Sequence, residues 1–195
     1  MSRLIVFEGP DGVGKSTLAL WFADQLRETG TDSVLLSFPG REPGTLGHHV
    51  YELHHNPPRF GIEDLASASL QLLHVAAHID AIERRIKPLL ASGKTVVLDR
   101  FWWSTYVYGL IGGVSRDVLE RMIELERRVW EPLRPDRLLH ISRESPLRNE
   151  PPDLWPLWRT AYEELAHRES EFYPVVTIVN DKSIQTAQER ILTTV

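Results

Sequence analysis

The 195-residue sequence predicts an α/β fold in which a five-stranded parallel sheet lies between two layers of helices. Short apolar runs alternate along the chain with longer segments of helical periodicity, a pattern typical of βαβ units. The apolar runs contain few polar residues, as expected of strands that are buried on both faces. The predicted strands are residues 4–7, 33–38, 95–98, 137–141 and 175–179.

The segments between the predicted strands favour helices. The predicted helices are residues 16–27, 46–55, 62–90, 116–129, 155–172 and 184–192. In the longest of them, Leu65, Leu72, Ile79 and Ile86 share one face. The length of the chain suits a single domain over residues 1–195. Ligands of such folds bind where the strands end, so the residues that follow each strand are the candidates for a site.

The composition argues against several classes of protein. The chain has no cysteine, so it has no disulfide, no thiolate metal site and no cysteine nucleophile. Its net charge of −5 argues against a general nucleic-acid-binding protein, which would carry a basic face. Its apolar runs are all shorter than the roughly 20 residues that cross a bilayer. We therefore expect a cytoplasmic protein that binds neither nucleic acids nor membranes.

A glycine-rich segment follows the first predicted strand and precedes the first predicted helix. Its residues are Gly9, Pro10, Asp11, Gly12, Val13, Gly14, Lys15, Ser16 and Thr17. They match the pattern G-x-x-x-x-G-K-[ST], whose backbone N–H groups turn inward and bind phosphate oxygens. Lys15 adds a full charge toward the β- and γ-phosphates, and the Ser16 hydroxyl is suited to bind Mg²⁺. The segment predicts a site for a nucleoside triphosphate and Mg²⁺.

Two charged residues end the third predicted strand. Asp99 is suited to bind Mg²⁺ directly or through water, as the carboxylate that partners a phosphate loop. Arg100 follows at once and can reach a phosphoryl group in transfer. The alternatives are a turn or helix cap for Asp99 and an ordinary surface position for Arg100.

Three segments together resemble the thymidylate kinases, a family of nucleoside-monophosphate kinases. They are FEGPDGVGKST, FPGREPGTLG and DRFWWSTYVYG, in the order and spacing of that family. The resemblance extends from residue 4 to about residue 165 and implies a P-loop NTPase three-layer sandwich. It also implies a homodimer that uses ATP and Mg²⁺ to phosphorylate a small nucleotide substrate, either dTMP or a related deoxynucleotide.

The resemblance implies roles for residues that follow the first two strands. The glycine-rich loop, with Lys15 and Ser16, would hold the phosphates of ATP. Asp11 matches the loop carboxylate that approaches the 3′-hydroxyl of the acceptor sugar. Phe38 and Arg41 match the segment whose arginine holds the acceptor monophosphate.

It implies further roles for residues that follow the third strand. Arg100, beside Asp99, would bridge the donor and acceptor phosphates. Ser104 lies in the matching S-T segment, and Tyr108 matches an aromatic residue that crowds the 2′ position of the sugar and so favours deoxyribose. Phosphoryl transfer depends on positioning and charge neutralisation more than on a strong base, which suits Lys15, Asp99 and Arg100 as catalytic residues.

The residues that would contact the acceptor base depart from the family pattern. The family has a phenylalanine that stacks on thymine and, one helical turn later, an arginine that contacts the ring. These positions carry His74 and His78 here, and Gly109 stands where bacterial members have glutamine. Imidazole can stack and form hydrogen bonds, but it recognises a base differently from arginine. We therefore hypothesise that the acceptor is not dTMP, or that dTMP is a poor acceptor.

A short lid is predicted at residues 142–156, between the fourth strand and the helix that follows it. The family position implies a catalytic arginine there, and the segment offers Arg143 and Arg148. Arg148 is the predicted lid arginine. An ordinary surface loop is the alternative.

Other functions stay open at this stage. A kinase that phosphorylates a nucleoside or another small acceptor is one alternative, and Arg41 argues against it because a neutral acceptor needs no cation. A GTPase-type switch is a second alternative, but the chain lacks the guanine-reading order N/T-K-x-D. A non-catalytic nucleotide-binding relative is the third.

The aromatic pair Trp102 and Trp103 has two interpretations. Because both follow Arg100 directly, they could wall the acceptor site by stacking on a base. They could equally pack in the core.

Overall fold

Five parallel strands form one sheet in the computed structural model, which describes residues 2–195. The strands are β1 (Leu4–Glu8), β2 (Ser33–Ser37), β3 (Thr95–Asp99), β4 (Arg137–Ser142) and β5 (Val175–Val179). Their order across the sheet is β2-β3-β1-β4-β5, so β1 lies at the centre between β3 and β4. The predicted five-stranded parallel sheet is confirmed.

Helices connect successive strands, and one more helix follows the last strand. They are α1 (Lys15–Glu28), α2 (Leu46–His55), α3 (Ser67–Ala81), α4 (Lys87–Ala91), α5 (Trp102–Ile111), α6 (Arg116–Trp130), α7 (Trp155–Glu169) and α8 (Ile184–Leu192). A π-helical turn, Ile82–Ile86, joins α3 to α4. None of the helices described over residues 2–195 is long and apolar enough to cross a bilayer.

The sheet is covered on both faces because alternate side chains of its strands point in opposite directions. Leu4 and Val6 of β1 pack with residues of α3, α5, α6 and α7. Ile5 and Phe7, between and after them, pack with residues of α1 and α8 on the other face. All four side chains are at most 2% exposed. The result is the predicted three-layer sandwich.

The helices differ from the prediction more than the strands do. Each predicted strand boundary lies within one residue of the observed one. The helix expected over residues 62–90 begins at Ser67 and is interrupted by the π-helical turn. Helix α5 was not predicted, because its sequence is almost continuously apolar and shows no helical period. Its Trp102 and Trp103 are at most 1% exposed, so the core interpretation of this pair is correct.

Candidate active site

The glycine-rich loop lies between β1 and α1, and its tight path explains its glycines. A Cβ atom on Gly9 would lie 2.3 Å from the carbonyl oxygen of Ile141. Gly14 has a φ of +88°, and a Cβ atom there would lie 2.8 Å from Nδ2 of Asn180. The same Asn180 amide donates to the carbonyl of Val13 at 2.9 Å. Asn180 therefore supports the loop from the end of β5, a role that the sequence analysis missed.

The ends of three strands meet beside this loop. The backbone N–H of Arg100 donates to the carbonyl of Phe7 at 3.0 Å, and that of Phe38 donates to the carbonyl of Asp99 at 3.0 Å. Arg100 has a φ of +86°, a left-handed conformation that costs a non-glycine residue on the order of 1–3 kcal/mol. Such strain persists where the surrounding structure enforces it. In this site the strained backbone turns the Arg100 guanidinium back over the glycine-rich loop.

Four predicted site residues form one charge cluster. Nζ of Lys15 lies 2.9 Å from Oδ1 of Asp11, and Nη2 of Arg100 is hydrogen-bonded to the same oxygen. Nη2 of Arg148 lies 3.5 Å from the other oxygen, Oδ2. Lys15 is only 4% exposed. These residues come from three separate segments of the sequence, and the fold brings their charges together.

The cluster shifts the pKa values of its members. Burial acts to raise the pKa of the Asp11 carboxyl, but Arg100 and Lys15 outweigh it and hold that pKa well below its usual range. Burial, and then repulsion from Arg100, lowers the pKa of Lys15. Burial also acts to lower the pKa of Arg100, but the Asp11 carboxylate outweighs it and raises that pKa. The side chains of Asp11 and Arg100 are thus charged throughout the physiological range.

Glu8, the last residue of β1, joins the loop to helix α5 and was not predicted as a site residue. Its Oε1 accepts from the backbone N–H groups of Phe101 and Ser104, at 2.7 and 3.0 Å. Its Oε2 accepts from the N–H of Gly9 at 3.1 Å. The side chain is fully buried, and burial raises its pKa. The one sequence signal was a charged residue at the end of a buried strand.

Ser104, a predicted acceptor residue, is held among charged groups at the edge of the site. Its hydroxyl lies 3.1 Å from both carboxylate oxygens of Glu8. Nη1 of Arg100 donates to the same hydroxyl at 3.0 Å, and the Tyr162 hydroxyl donates to it at 2.9 Å. Ser104 therefore positions Arg100 relative to Glu8.

The residues predicted to bind Mg²⁺ have the chemistry for a hard cation. Oδ1 of Asp99 is buried and lacks a hydrogen-bond partner within residues 2–195. Ser16 lies in the first turn of α1 and faces the open site, and carboxylate and hydroxyl oxygens are the ligands Mg²⁺ prefers. An orphaned carboxylate oxygen beside a phosphate loop fits the ion. Thr17, the next residue, is exposed on α1.

A cavity of about 500 Å³ opens beside the charge cluster. All the predicted acceptor residues line it, namely Asp11, Phe38, Arg41, His74, His78, Arg100, Ser104 and Tyr108. Five further residues line it: Tyr51 and Thr105, which were not predicted, together with His54, His55 and Gln71. Three of these five lie on α2, whose place beside α3 is decided by packing.

The two ends of the cavity differ in chemistry. At one end the Arg41 guanidinium lies 5.1 Å from the centre of the Tyr51 ring, within cation–π range. Tyr108 lies beside the loop, where its hydroxyl accepts from the N–H of Asp11 at 3.1 Å. The arginine end can bind an anion, and the tyrosine stands next to the residue expected to meet the sugar.

Histidines line the remaining wall. Nδ1 of His78 lies 2.8 Å from Oε2 of Glu126, and Nε2 of His74 lies 3.4 Å from Nδ1 of His54. Burial, and then the neighbouring His78, lowers the pKa of His74 to about 3, so it is neutral at pH 7. Within residues 2–195 no group of three or more histidine and acidic side chains is placed to hold a metal ion.

Gly109 makes room for one of these wall residues. A Cβ atom at Gly109 would lie 2.7 Å from Leu119 and 2.9 Å from Cγ of Gln71. Gln71 is 5% exposed and lines the cavity. The glycine that departs from the family pattern therefore allows α3 to place an amide here.

Residues 143–154, within the predicted lid, form a loop between the end of β4 and the start of α7 at Trp155. This loop lies on the phosphate loop: the N–H of Leu147 donates to the carbonyl of Gly12 at 2.8 Å. The indole of Trp155 donates to the carbonyl of Asp11 at 2.8 Å. Arg143 turns away from the cluster toward the carbonyl of Asn180, whereas Arg148 reaches Asp11.

Comparisons with known proteins find related chains. A family model described as thymidylate kinase matches residues 7–147. The chain is 40% identical over 135 residues to a thymidylate kinase of Ectopseudomonas mendocina (strain ymp), covering 69% of this chain and 61% of that protein. It is 41% identical over 122 residues to one of Dinoroseobacter shibae, covering 63% and 55%. The chain thus spans less than two thirds of the length of these relatives.

A solved structure has the same fold over the whole chain. The thymidylate kinase of Ehrlichia chaffeensis superposes with a TM-score of 0.76 and 21% sequence identity. The match covers 98% of this chain and 97% of that one.

Proposed function

The chain belongs to the thymidylate kinase family, and from that membership we propose that it transfers the γ-phosphoryl group of ATP to a deoxynucleoside monophosphate. One observation carries the proposal: the phosphate loop after β1, Arg100 after β3 and Arg41 beyond β2 line a single cavity, and β3 lies between β1 and β2 in the sheet. Two phosphate-binding groups that line one cavity suit a reaction that joins two phosphates. The names of the relatives make dTMP the first acceptor to test.

In the proposed reaction the chain's own residues bind and align two anions. Lys15 and the loop N–H groups hold the donor phosphates, and Arg41 holds the acceptor phosphate. A phosphate oxygen of the acceptor forms a bond to the γ-phosphorus, the bond from that phosphorus to the bridging oxygen breaks, and ADP leaves. Arg100 lies between the two sides and stabilises the charge that develops during transfer.

Binding of phosphates changes the partners of the charge cluster. Asp11 now neutralises Lys15 and Arg100, and an incoming phosphate competes with it for both cations. Asp11 is then released toward the acceptor sugar. The loop of residues 143–154, already in contact with the phosphate loop, acts as a lid that excludes water from the transfer.

Mg²⁺ is the proposed cofactor, held by Asp99 and Ser16. When bound, it would neutralise charge on the β- and γ-phosphates. The orphaned oxygen of Asp99 supports this assignment.

The test is ADP release from Mg-ATP with a panel of acceptors. The panel contains dTMP, dUMP, dCMP, dGMP and dAMP, their ribose forms and the free deoxynucleosides. We expect turnover of a deoxynucleoside monophosphate, abolished by Lys15→Ala and retained by Lys94→Ala, whose lysine pairs with Asp32 outside the site. Turnover of free deoxynucleosides alone, or silence across the panel, would contradict the proposal.

The panel also tests the hypothesis about the acceptor base. If the changes at His74 and His78 alter specificity, another monophosphate outperforms dTMP. Dominant turnover of dTMP would refute that hypothesis and leave the kinase assignment intact.

A homodimer and a cytoplasmic location complete the proposal. The family resemblance supports the first, and the absence of cysteine from the sequence is compatible with the second. Light scattering of the purified protein measures its oligomeric state.

A further inference from the structure

His78 is held in one orientation on the cavity wall. Its imidazole stacks on the Phe38 ring, with centroids 4.3 Å apart and planes 26° from parallel. Nδ1 lies 2.8 Å from Oε2 of Glu126, on helix α6. The residue is 3% exposed. Stacking and the hydrogen bond together leave the ring no freedom to flip.

The partner of His78 is itself fixed. Glu126 is fully buried, and its Oε1 accepts a hydrogen bond from the indole Nε1 of Trp130 at 3.0 Å. The indole N–H can only donate, so Oε1 is an acceptor. A carboxylate that accepts at both oxygens directs an imidazole proton onto Nδ1, which lies 2.8 Å from Oε2.

The opposite nitrogen of His78 is left for the cavity. No residue among positions 2–195 forms a hydrogen bond with its Nε2, although Nδ1 is paired. His78 lines the cavity that also contains Arg41 and Arg100. An imidazole protonated on Nδ1 alone would present the lone pair of Nε2 to whatever occupies the cavity.

We propose that the Glu126–His78 pair reads the acceptor base, with the imidazole protonated on Nδ1 alone and Nε2 accepting a hydrogen bond from a base N–H. For dTMP this donor is the N3–H group of thymine. Glu126 is a positioning residue, because it acts by fixing the proton of His78 and does not touch the base. The inference rests on the proposed function and specifies how its acceptor site recognises a base without an arginine.

Two substitutions of His78 separate base reading from a structural role. The amide nitrogen of asparagine stands near the place of Nδ1, so His78→Asn keeps a donor to Glu126 and removes the polar atom at Nε2. The longer glutamine of His78→Gln reaches the place of Nε2 and gives up the bond to Glu126. We expect His78→Asn to weaken dTMP binding by about tenfold or more, and His78→Gln to retain more of it.

Substitution of Glu126 tests the position of the proton. In Glu126→Gln the carbonyl must turn to the Trp130 N–H, so the NH₂ group faces Nδ1 of His78 and moves the proton to Nε2. The lone pair toward the base is lost, and we expect dTMP affinity to fall by about tenfold. Glu169→Gln is the matched control, because Glu169 is also a buried carboxylate with charged and hydroxyl partners but lies outside the cavity.

The readouts are the dissociation constant of dTMP, measured by calorimetry without ATP, and the KM values for dTMP and ATP. We expect the dissociation constant and the KM for dTMP to rise in His78→Asn and Glu126→Gln, while the KM for ATP does not change. In Glu169→Gln we expect all of these values to equal those of the unmodified protein. Equal dTMP affinity in the unmodified protein and in either folded variant would overturn the inference, as would weaker binding by His78→Gln than by His78→Asn. If Glu126→Gln does not fold, the comparison of His78→Asn with His78→Gln tests the inference.

The same measurements distinguish this inference from the proposed function. Normal dTMP turnover by all variants with equal affinity would overturn the inference alone. No binding and no turnover of dTMP by the unmodified protein would contradict dTMP as the acceptor and overturn the inference with it.

Discussion

The Asp11 carboxylate lies between the cations of Lys15, Arg100 and Arg148. At the residue scale this is the strongest electrostatic feature of the site, because three cations share one partly buried anion. Without that anion they would repel one another in a region of low effective dielectric. The carboxylate thus holds together the cations that are proposed to bind phosphate.

Arg41 is the residue proposed to distinguish a phosphorylated acceptor from a neutral one. We predict that Arg41→Ala raises the KM for the acceptor by about ten- to a hundredfold, because a charge-assisted hydrogen bond is lost. The KM for ATP should not change. Steady-state kinetics with each substrate varied in turn measure both values.

Arg59→Ala is the matched control for that prediction. Arg59 is exposed outside the cavity and pairs with Glu52. An unchanged acceptor KM in Arg41→Ala would favour a nucleoside or another neutral acceptor.

Glu8 carries a second prediction at this scale. Both of its oxygens accept from backbone N–H groups, so the NH₂ of Glu8→Gln must face a donor in either orientation. We predict a loss of about 1–3 kcal/mol in the free energy of unfolding. Urea denaturation measures this loss. Glu124→Gln, at an exposed helical position, should change the free energy of unfolding by less than about 0.5 kcal/mol.

At the scale of elements, the proposed role of the loop of residues 143–154 follows from the contacts that the loop makes. It reaches the phosphate loop through Leu147 and places Arg148 beside Asp11. These contacts favour a lid over the alternative of an ordinary surface loop.

Arg148→Ala tests the lid. If Arg148 moves from Asp11 to the phosphoryl group in transfer, its loss should lower kcat by about tenfold or more, with little change in either KM. Arg143→Ala, in the same loop but turned toward Asn180, should lower kcat far less. A kcat for Arg148→Ala equal to that of the unmodified protein would refute the assignment.

Helix α5 has no sequence periodicity that predicts a helix, yet its residues form part of the site. Its side chains are buried on nearly every side, so no polar face marks it as a helix. Packing against α3 places Gly109 under Gln71 and sets the cavity wall. The motif DRFWWSTYVYG was visible in the sequence, but its helical conformation depends on the helices around it.

At the scale of the molecule, the buried His140 of β4 couples stability to pH. It is 1% exposed, and burial lowers its pKa from 6.5 to about 4. The unfolded chain therefore binds a proton below pH 6.5 that the folded chain binds only near pH 4. The contribution of neutral His140 to the free energy of unfolding is fully present above pH 6.5 and is lost as the pH falls from 6.5 toward 4.

We predict that His140→Phe flattens this dependence. The shift corresponds to about 3 kcal/mol between the two ends of the window. Urea midpoints measured from pH 7.5 to pH 4.5 should therefore fall less steeply in His140→Phe than in the unmodified protein. His167→Gln, at an exposed position of α7, should leave the slope unchanged, and equal slopes for all three proteins would refute the prediction.

The sequence by itself determined the strands, the phosphate loop and the candidate residues at the strand ends. These follow from local rules: apolar runs, glycines where the backbone turns tightly, and a lysine and serine at fixed spacing. Only the tertiary structure decided that Glu126 pairs with His78, that Glu8 holds the start of α5, and that Arg148 and not Arg143 faces Asp11. The physical reason is that these partners are far apart in sequence, and the packing of helices and loops on the sheet selects among many polar groups that could have met.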